Sequence, residues 1–261
     1  MLGFVRSDLR LARNLVAMQV RDRYLGSSVG AAWAVVNPLF MLSLYTFIFA
    51  FVLKVRLPGA DSTFAYVLWL IAGYGAWLAT VDALTASTHA VVGSSGIVKN
   101  LALKTELLPL AATLACLITL SVCLLFVVVL MMADGRSLGW SLAWLPIIVV
   151  VHVWLLAGIG LWLSAANVFI RDLGLALPNL LTIAMFATPI VYPIESLPPR
   201  LQQVTLANPF YILVSAYRSV VLAQREPDVW GLIYVTVLGT VVFMLGLTVF
   251  RRLKGQFSSM L

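Results

Sequence analysis

Residues 107–133 read LLPLAATLACLITLSVCLLFVVVLMMA and contain no Asp, Glu, Lys or Arg. As an α-helix rising ~1.5 Å per residue the stretch reaches about 40 Å, enough to cross the ~30 Å hydrocarbon core of a bilayer. Uncharged runs of comparable reach occupy 25–53, 62–81, 137–170, 173–194 and 229–250. The run 201–217 is shorter and holds Pro209, so it is expected not to span. Over its 261 residues the chain is 62% hydrophobic and 10% charged, with a mean hydropathy of +1.03. A soluble domain carries about 25% charged residues, and so few charges could not cover a globule's surface. The fold class that follows is an all-α membrane protein with six transmembrane helices, forming one transmembrane domain over 1–261.

The distribution of the 17 Lys and Arg residues orients it. With the amino terminus inside, six crossings return the carboxyl terminus to the same side. Arg6, Arg10, Arg13, Arg21, Arg23, Lys99, Lys104, Arg171, Arg251, Arg252 and Lys254 then lie inside. Lys54, Arg56, Arg136, Arg200, Arg218 and Arg225 lie outside. The net charge of +7 is therefore a topology and lipid-contact signal. The basic residues are scattered over separate loops, which argues against a nucleic-acid partner. No compact apolar core followed by a small-residue cleavage site is visible at the start, so the first span is expected to direct insertion.

Along the chain, 4–24 is expected to form an amphipathic interface helix. Arg6, Arg10, Arg13 and Arg21 share a narrow face opposite Val5, Leu9, Leu11, Leu15, Val16 and Met18, with Asp8 and Asp22 intruding. A plain basic flank anchoring the first span is the alternative. The spans are expected over 33–53, 64–90, 107–132, 140–169, 174–192 and 229–250, with Pro38 placed to kink the first. The loop 91–106 mixes Lys99 and Lys104 with Ile97 and Leu101. Between the last two spans, 193–228 is broken by Pro193, Pro198, Pro199 and Pro209 yet stays apolar. A membrane tolerates broken backbone only where protein or a watery cavity surrounds it. Two short helices, 201–206 and 210–222, dipping into the outer leaflet satisfy that rule, and a surface-lying loop is the alternative.

Chemistry-bearing constellations are scarce. His89 and His152 lie in different helices without carboxylate or thiol neighbours at ligand spacing, so no metal centre is expected. Gly-Ser-Ser-Gly at 93–96 lacks the lysine of a phosphate-binding loop, and no nucleophile with a nearby base is legible. Cys116 and Cys123 are seven residues apart on one helical face, too distant to bridge. Asp82 is an intramembrane charge about 27 Å down the second span, near the inner surface, with His89 on the same face. It is open to two readings, a structural pairing near the headgroups or a part in conformational coupling. The aromatic residues of the first two spans are also double-valued. They could be ordinary interfacial belts, or a pore lining whose ring faces and Tyr hydroxyls suit a passing sugar polymer.

Two stretches carry a resemblance. RYLGSSVGAAWAVVNPLFMLSLYTFIFAF (23–51) is similar to the basic-Tyr, Leu-Gly, Trp and Asn-Pro-Leu pattern of the type-2 ABC exporter permeases for cell-surface polysaccharides. RDLGLALPNLLTIAMFATPIVYPIESLPPRLQQVTLANPFYILVSAYRSVVL (171–222) resembles that family's Arg-Asp turn, Pro-x-x-Tyr-Pro helix end, Asn-Pro turn and terminal Arg. The resemblance implies a homodimer of permeases enclosing a channel in the bacterial inner membrane, with two separate ATPase subunits beneath. Those subunits would bind ATP and Mg, and this chain would carry no cofactor and no catalytic residue. It further implies that 91–106 is a coupling helix touching the ATPase through Ile97, Lys99, Leu101 and Lys104. Helices one and five would line the path, near Tyr45, Phe49, Met185 and Tyr192. Arg21 and Arg23 would meet the lipid-linked end of the glycan, and Asn208, Pro209, Phe210 and Arg218 would form a periplasmic gate. O-antigen is the foremost cargo, with capsule and teichoic acid as relatives. A permease for drugs or lipids, and an intramembrane enzyme acting on lipid-linked sugars, are the competing readings.

Overall fold

The computed structural model describes residues 6–24, 29–58, 62–96 and 104–260. The elements are α1 (Arg6–Tyr24), α2 (Trp33–Thr46), α3 (Thr63–Gly93), α4 (Leu107–Ala133), α5 (Leu145–Phe169), α6 (Asp172–Ala187), α7 (Pro199–Leu206), α8 (Pro209–Val221), α9 (Val229–Leu253) and α10 (Phe257–Met260). Among the described residues five segments are long and apolar enough to cross a membrane: Gly30–Val52, Thr63–Gly93, Leu107–Ala133, Trp140–Phe169 and Val229–Gln256. Side-chain caps start three of the helices. Ser62, Asn208 and Asp228 accept hydrogen bonds from the backbone N–H groups of Phe64, Phe210 and Trp230, satisfying donors the helices leave unpaired.

α3 is the central rod. In its most apolar stretch 72% of residues are buried, against 17% for Gly30–Val52 at the periphery. α3 packs along α4 and α5, and α9 packs along α5. Small residues permit the closest approaches. A Cβ placed at Gly158 would stand 2.7 Å from the backbone nitrogen of Phe243 in α9, and one at Gly75 would stand 2.7 Å from Cβ of Cys123. The core holds Trp77, Tyr66 and Tyr217 almost fully buried.

Two expectations about helix ends change. The fifth apolar run was expected to be helical over 174–192, but α6 stops at Ala187 and Thr188 is extended. The cause is Pro189, whose ring disfavours helical backbone at the preceding residue. Pro38 lies within α2, and the irregularity of the first span comes further along. The span widens into a π-helical stretch, Phe47–Val52. There the N–H of Leu53 reaches back to Ile48 O at 2.8 Å and that of Val55 to Phe49 O at 3.0 Å.

The amino-terminal helix forms as expected from its periodicity. Leu15 is buried against Ala90, Leu107, Leu108, Ala111 and Ala112, with Leu11, Val16 and Met18 packed beside it. Arg13 and Arg21 are exposed. The apolar arc thus docks on the start of α4 and the end of α3.

Candidate functional site

The proline-broken segment supplies the most elaborate polar contacts. Pro198 and Pro199 start α7, and the Asn208-Pro209 pair ends one helix and starts the next, because Pro at a first helical position forfeits no bond. Asn208 caps α8 with Oδ1 and donates Nδ2–H to Thr188 Oγ1 at 2.9 Å, joining this turn to the end of α6. Phe210 meets the Trp77 ring edge-on at 5.6 Å.

Further along α8, Thr80 of α3, His152 of α5 and Tyr217 form a buried chain. Thr80 Oγ1 and His152 Nε2 are 2.9 Å apart, and His152 Nδ1 and Tyr217 Oη are 3.3 Å apart. Thr80 gives its one hydroxyl proton to Ala76 O at 3.1 Å. The two ring nitrogens of His152 thus each meet a hydroxyl, joining α3, α5 and α8 through one buried polar chain.

Arg218 was expected in an outer segment, on the second short helix, and by the resemblance in a gate. It is instead 8% exposed, inside the protein. Its Nε donates to Trp69 O at 3.2 Å, Nη1 to Pro189 O at 3.4 Å and Nη2 to Ile190 O. Its Cζ sits 3.3 Å from the centroid of the Trp69 ring. A Cβ at Gly73 would fall 2.3 Å from Nη2, so that glycine makes the room. Among the described residues no carboxylate lies within ion-pair distance of this guanidinium. Carbonyl dipoles and an aromatic face offset the charge, and they can do so because Pro189 and Ile190 sit past the helix end, where their carbonyls are free of a ladder. Tyr66 Oη donates to Val191 O at 2.6 Å, fastening the same turn.

The aromatic candidates separate. Tyr45 stacks on Tyr74, with centroids 4.1 Å apart, and on Phe49 at 6.0 Å, so three half-buried or buried rings form one ladder from α2 to α3. Tyr192 donates its hydroxyl to Phe186 O at 2.7 Å, closing its own turn. Met185 is 2% exposed, so its side chain fills the core of the protomer instead of facing a path. Without a known helix rotation, its place in the sequence could not distinguish these outcomes.

At the opposite end of the bundle, the expected coupling loop begins later than 91, because Val91–Gly93 completes α3. Ile97, Lys99 and Leu101 lie outside the described residues, as does the side chain of Arg23. Lys104 is half-buried and Arg21 exposed. Asp82 is half-buried and accepts from Thr119 Oγ1 of α4 at 2.7 Å. His89 is exposed and lies against Gly174, the position where its Cβ would come within 2.5 Å of the imidazole.

Sequence reasoning missed two contacts here. Asn167 donates to Thr88 O at 3.0 Å and accepts from Gly174 N at 2.9 Å, clamping the α5–α6 turn to α3. Glu106, 2% exposed, lies 3.1 Å from Arg251 Nε and 3.7 Å from Lys254 Nζ. Phe257 beyond them is fully buried against Phe250 and Phe169. The tail after α9 is thereby tied to the residue that closes the inner loop. The pairs are far apart in the chain, and only the isolation of Glu106 beside a long apolar run hinted at a partner. Arg251 and Lys254 are partly exposed, so solvent discounts the pair to about 1 kcal/mol. Glu106→Gln is expected to lower the melting temperature of the purified protein by about 2–4 °C. An unchanged transition in a thermal scan would show the pair to be inert.

The ABC-2 type transporter family profile matches residues 11–222. Two O-antigen export system permease proteins RfbA of Klebsiella pneumoniae are 26% and 27% identical over 247 residues, covering 93% of this chain and 91% of each relative. The RfbA permease of Myxococcus xanthus is 24% identical, covering 94% and 93%. With five long apolar segments and a profile match over most of its length, the chain is a multi-pass membrane protein that belongs to the ABC-2 type transporter family.

Proposed function

We propose that this chain is the transmembrane subunit of an ATP-driven exporter that moves a lipid-linked polysaccharide, O-antigen, across the bacterial inner membrane. The observation that carries it is end-to-end likeness to O-antigen export permeases. The fastened proline-broken segment at one end and the tied basic end at the other supply a geometry that suits such a task.

In this reading α6 also crosses, as the fifth of six spans. Its start lies beside His89 and the turn that follows it beside Tyr66 and Trp69, so the segment keeps pace with nearly the whole of α3. Both termini are then cytoplasmic. α7 and α8 re-enter the outer leaflet, which accounts for the apolar side chains of Phe210 and Leu213 beside a polar turn. Two copies pair across the face that one protomer leaves bare. Phe40, Phe47 and Phe51 are each 59% exposed on the first span, and Leu175 and Ile183 are exposed on α6. Tyr45, Phe49 and Tyr192 are the lining candidates that stay partly exposed at the edge of the core.

Two separate ATPase subunits hold ATP and Mg and supply direction. The loop around Ile97, Lys99, Leu101 and Lys104 receives their motion, and α1 and the Glu106 tie distribute it to α4 and α9. Arg21 and Arg23 attract the phosphate of the lipid-linked end at the inner surface. Asn208, Pro209 and Phe210 turn with α8 as the outer gate, with Arg218 as its pivot. The permease thus provides two arrangements of one path, and nucleotide hydrolysis biases them in order.

Deleting the chain in its host is expected to abolish surface O-antigen while lipid-linked glycan accumulates on the cytoplasmic side. Immunoblotting of surface polysaccharide and extraction of the lipid-linked pool measure the two arms. Normal surface glycan in the deletion strain would refute the reading.

A further inference from the structure

A cavity of about 370 Å3 opens beneath α8, between the turn after α6, the outer part of α3 and the loop after the first span. We propose that it is a binding site for a neutral sugar ring. This rests on the export reading only for the source of the sugar, which would be the glycan as it leaves the path.

The volume lies at the lower end of the ~300–1,000 Å3 typical of small-ligand sites. Six residues of its lining carry the chemistry: Trp69, Glu195, Tyr211, Ser215, Arg218 and Ser219. The hydroxyls of Tyr211, Ser215 and Ser219 make no hydrogen bond to any described residue, so three groups that both donate and accept are turned to no internal use. The carboxylate of Glu195 is exposed, and the guanidinium of Arg218 is buried in the wall.

Charge decides between ligand classes. A cavity with the guanidinium alone would recruit an anion. Here three nitrogens of Arg218 already donate to the carbonyls of Trp69, Pro189 and Ile190, and the Trp69 ring covers one face. Little of the cation is left for a phosphate, which would also meet Glu195 across the same space. A sugar has neither conflict. One hydroxyl donates to the Glu195 carboxylate and others exchange bonds with the serine and tyrosine hydroxyls. The apolar C–H face rests on an aromatic wall, where Tyr211 is the ring not already stacked by Arg218. A ring held by several weak contacts, none of them to a formal charge on the ligand, suits brief capture of successive units.

The test uses the full chain, purified and placed in phosphatidylglycerol nanodiscs. Saturation-transfer NMR is recorded with the methyl glycosides of glucose, galactose, mannose and rhamnose as separate probes. At least one glycoside is expected to receive magnetisation from the native protein. Ser219→Phe, which fills the cavity, is expected to remove the signal. Glu195→Gln, at an exposed side chain that serves no described internal contact, is expected to weaken it several-fold. Melting temperatures of both variants verify the fold. The proposal is overturned if no glycoside responds, if the signal survives Ser219→Phe, or if phosphoethanolamine displaces it and so marks a lipid-headgroup site. Binding here requires neither ATP nor a partner. Glycoside binding in a protein whose deletion spares surface O-antigen would sink the export reading alone, and the reverse pattern would sink only the sugar site.

Discussion

Arg218→Met is expected to cut surface O-antigen to about a tenth of the native level or less, with Arg218→Lys intermediate. Methionine keeps the length of the stem and removes every donor. The carbonyls of Trp69, Pro189 and Ile190 are then left without the guanidinium that holds them together. Hydrogen bonds to a charged group contribute about 1.5–3 kcal/mol each, so the fastening of α8 to α3 and to the turn after α6 loses several kcal/mol. A shift of ~1.4 kcal/mol between two positions of α8 already changes their ratio tenfold. Lysine restores the charge but offers a point donor in place of a planar fork, and it reaches one or two of the three carbonyls. The measurement is surface glycan per unit of membrane-inserted protein, quantified by immunoblot. Wild-type export from a methionine variant present at normal level would show that the guanidinium is ornamental.

Gly158→Leu is expected to leave no folded protein. The added Cβ alone would press to 2.7 Å from Phe243 N and 3.0 Å from Phe243 Cα, and these are backbone atoms that no rotamer change can move aside. Gly246 faces the same contact, where a Cβ would meet Gly158 O at 2.9 Å, so α9 has no slack to retreat along α5. Overpacking a close contact typically costs about 1–3 kcal/mol, and a leucine forced between two helix backbones exceeds that range. Gly158→Ala is expected to be milder but still destabilising, since its Cβ meets the same backbone atoms and carries nothing beyond. Gly93→Ala is the control, because nothing lies within 4 Å of its Cβ. Fluorescence-detected size exclusion of the three variants gives the ranking. A monodisperse peak from Gly158→Leu would mean that the α5–α9 contact is softer than drawn.

The legible part of this fold was what hydrocarbon thickness demands. Runs without charge such as 107–133 had to become long helices, and α4 fills that run almost to the residue. The amino-terminal helix was equally readable, since Leu15 and its neighbours recur at helical spacing and are the residues that bury. The two short helices α7 and α8 were readable from proline placement, because Pro199 and Pro209 each stand where a helix can begin. The end of α6 was not read correctly, although the Thr-Pro pair at 188–189 contained the reason. The apolar run continued through it, and length took precedence over the local rule.

The site divides in the same way. Asn208 and Pro209 were legible because a cap acts within two residues of itself. Arg218 was legible as a residue of interest but not as an interior one, since an arginine on a short helix near a membrane surface usually faces water. Its carbonyl partners lie 149, 29 and 28 residues away. The tie between Glu106 and Arg251 spans 145 residues and left no trace in spacing. That Met185 is buried in the core was not legible, because uniform apolarity gives a helix no face.

By itself, then, the order of residues determined the segments, their helical state and the end of the bundle that carries more positive charge. Each of these depends on energies counted along a stretch of chain: transfer to hydrocarbon, backbone self-pairing, and the local effect of proline. Tertiary structure alone decided which side of each helix meets a neighbour, and therefore which polar groups find one another. In an apolar span every face is about equally at home in lipid, so rotation is chosen by the few close-packed glycines and buried hydrogen bonds that exist only once the helices are together.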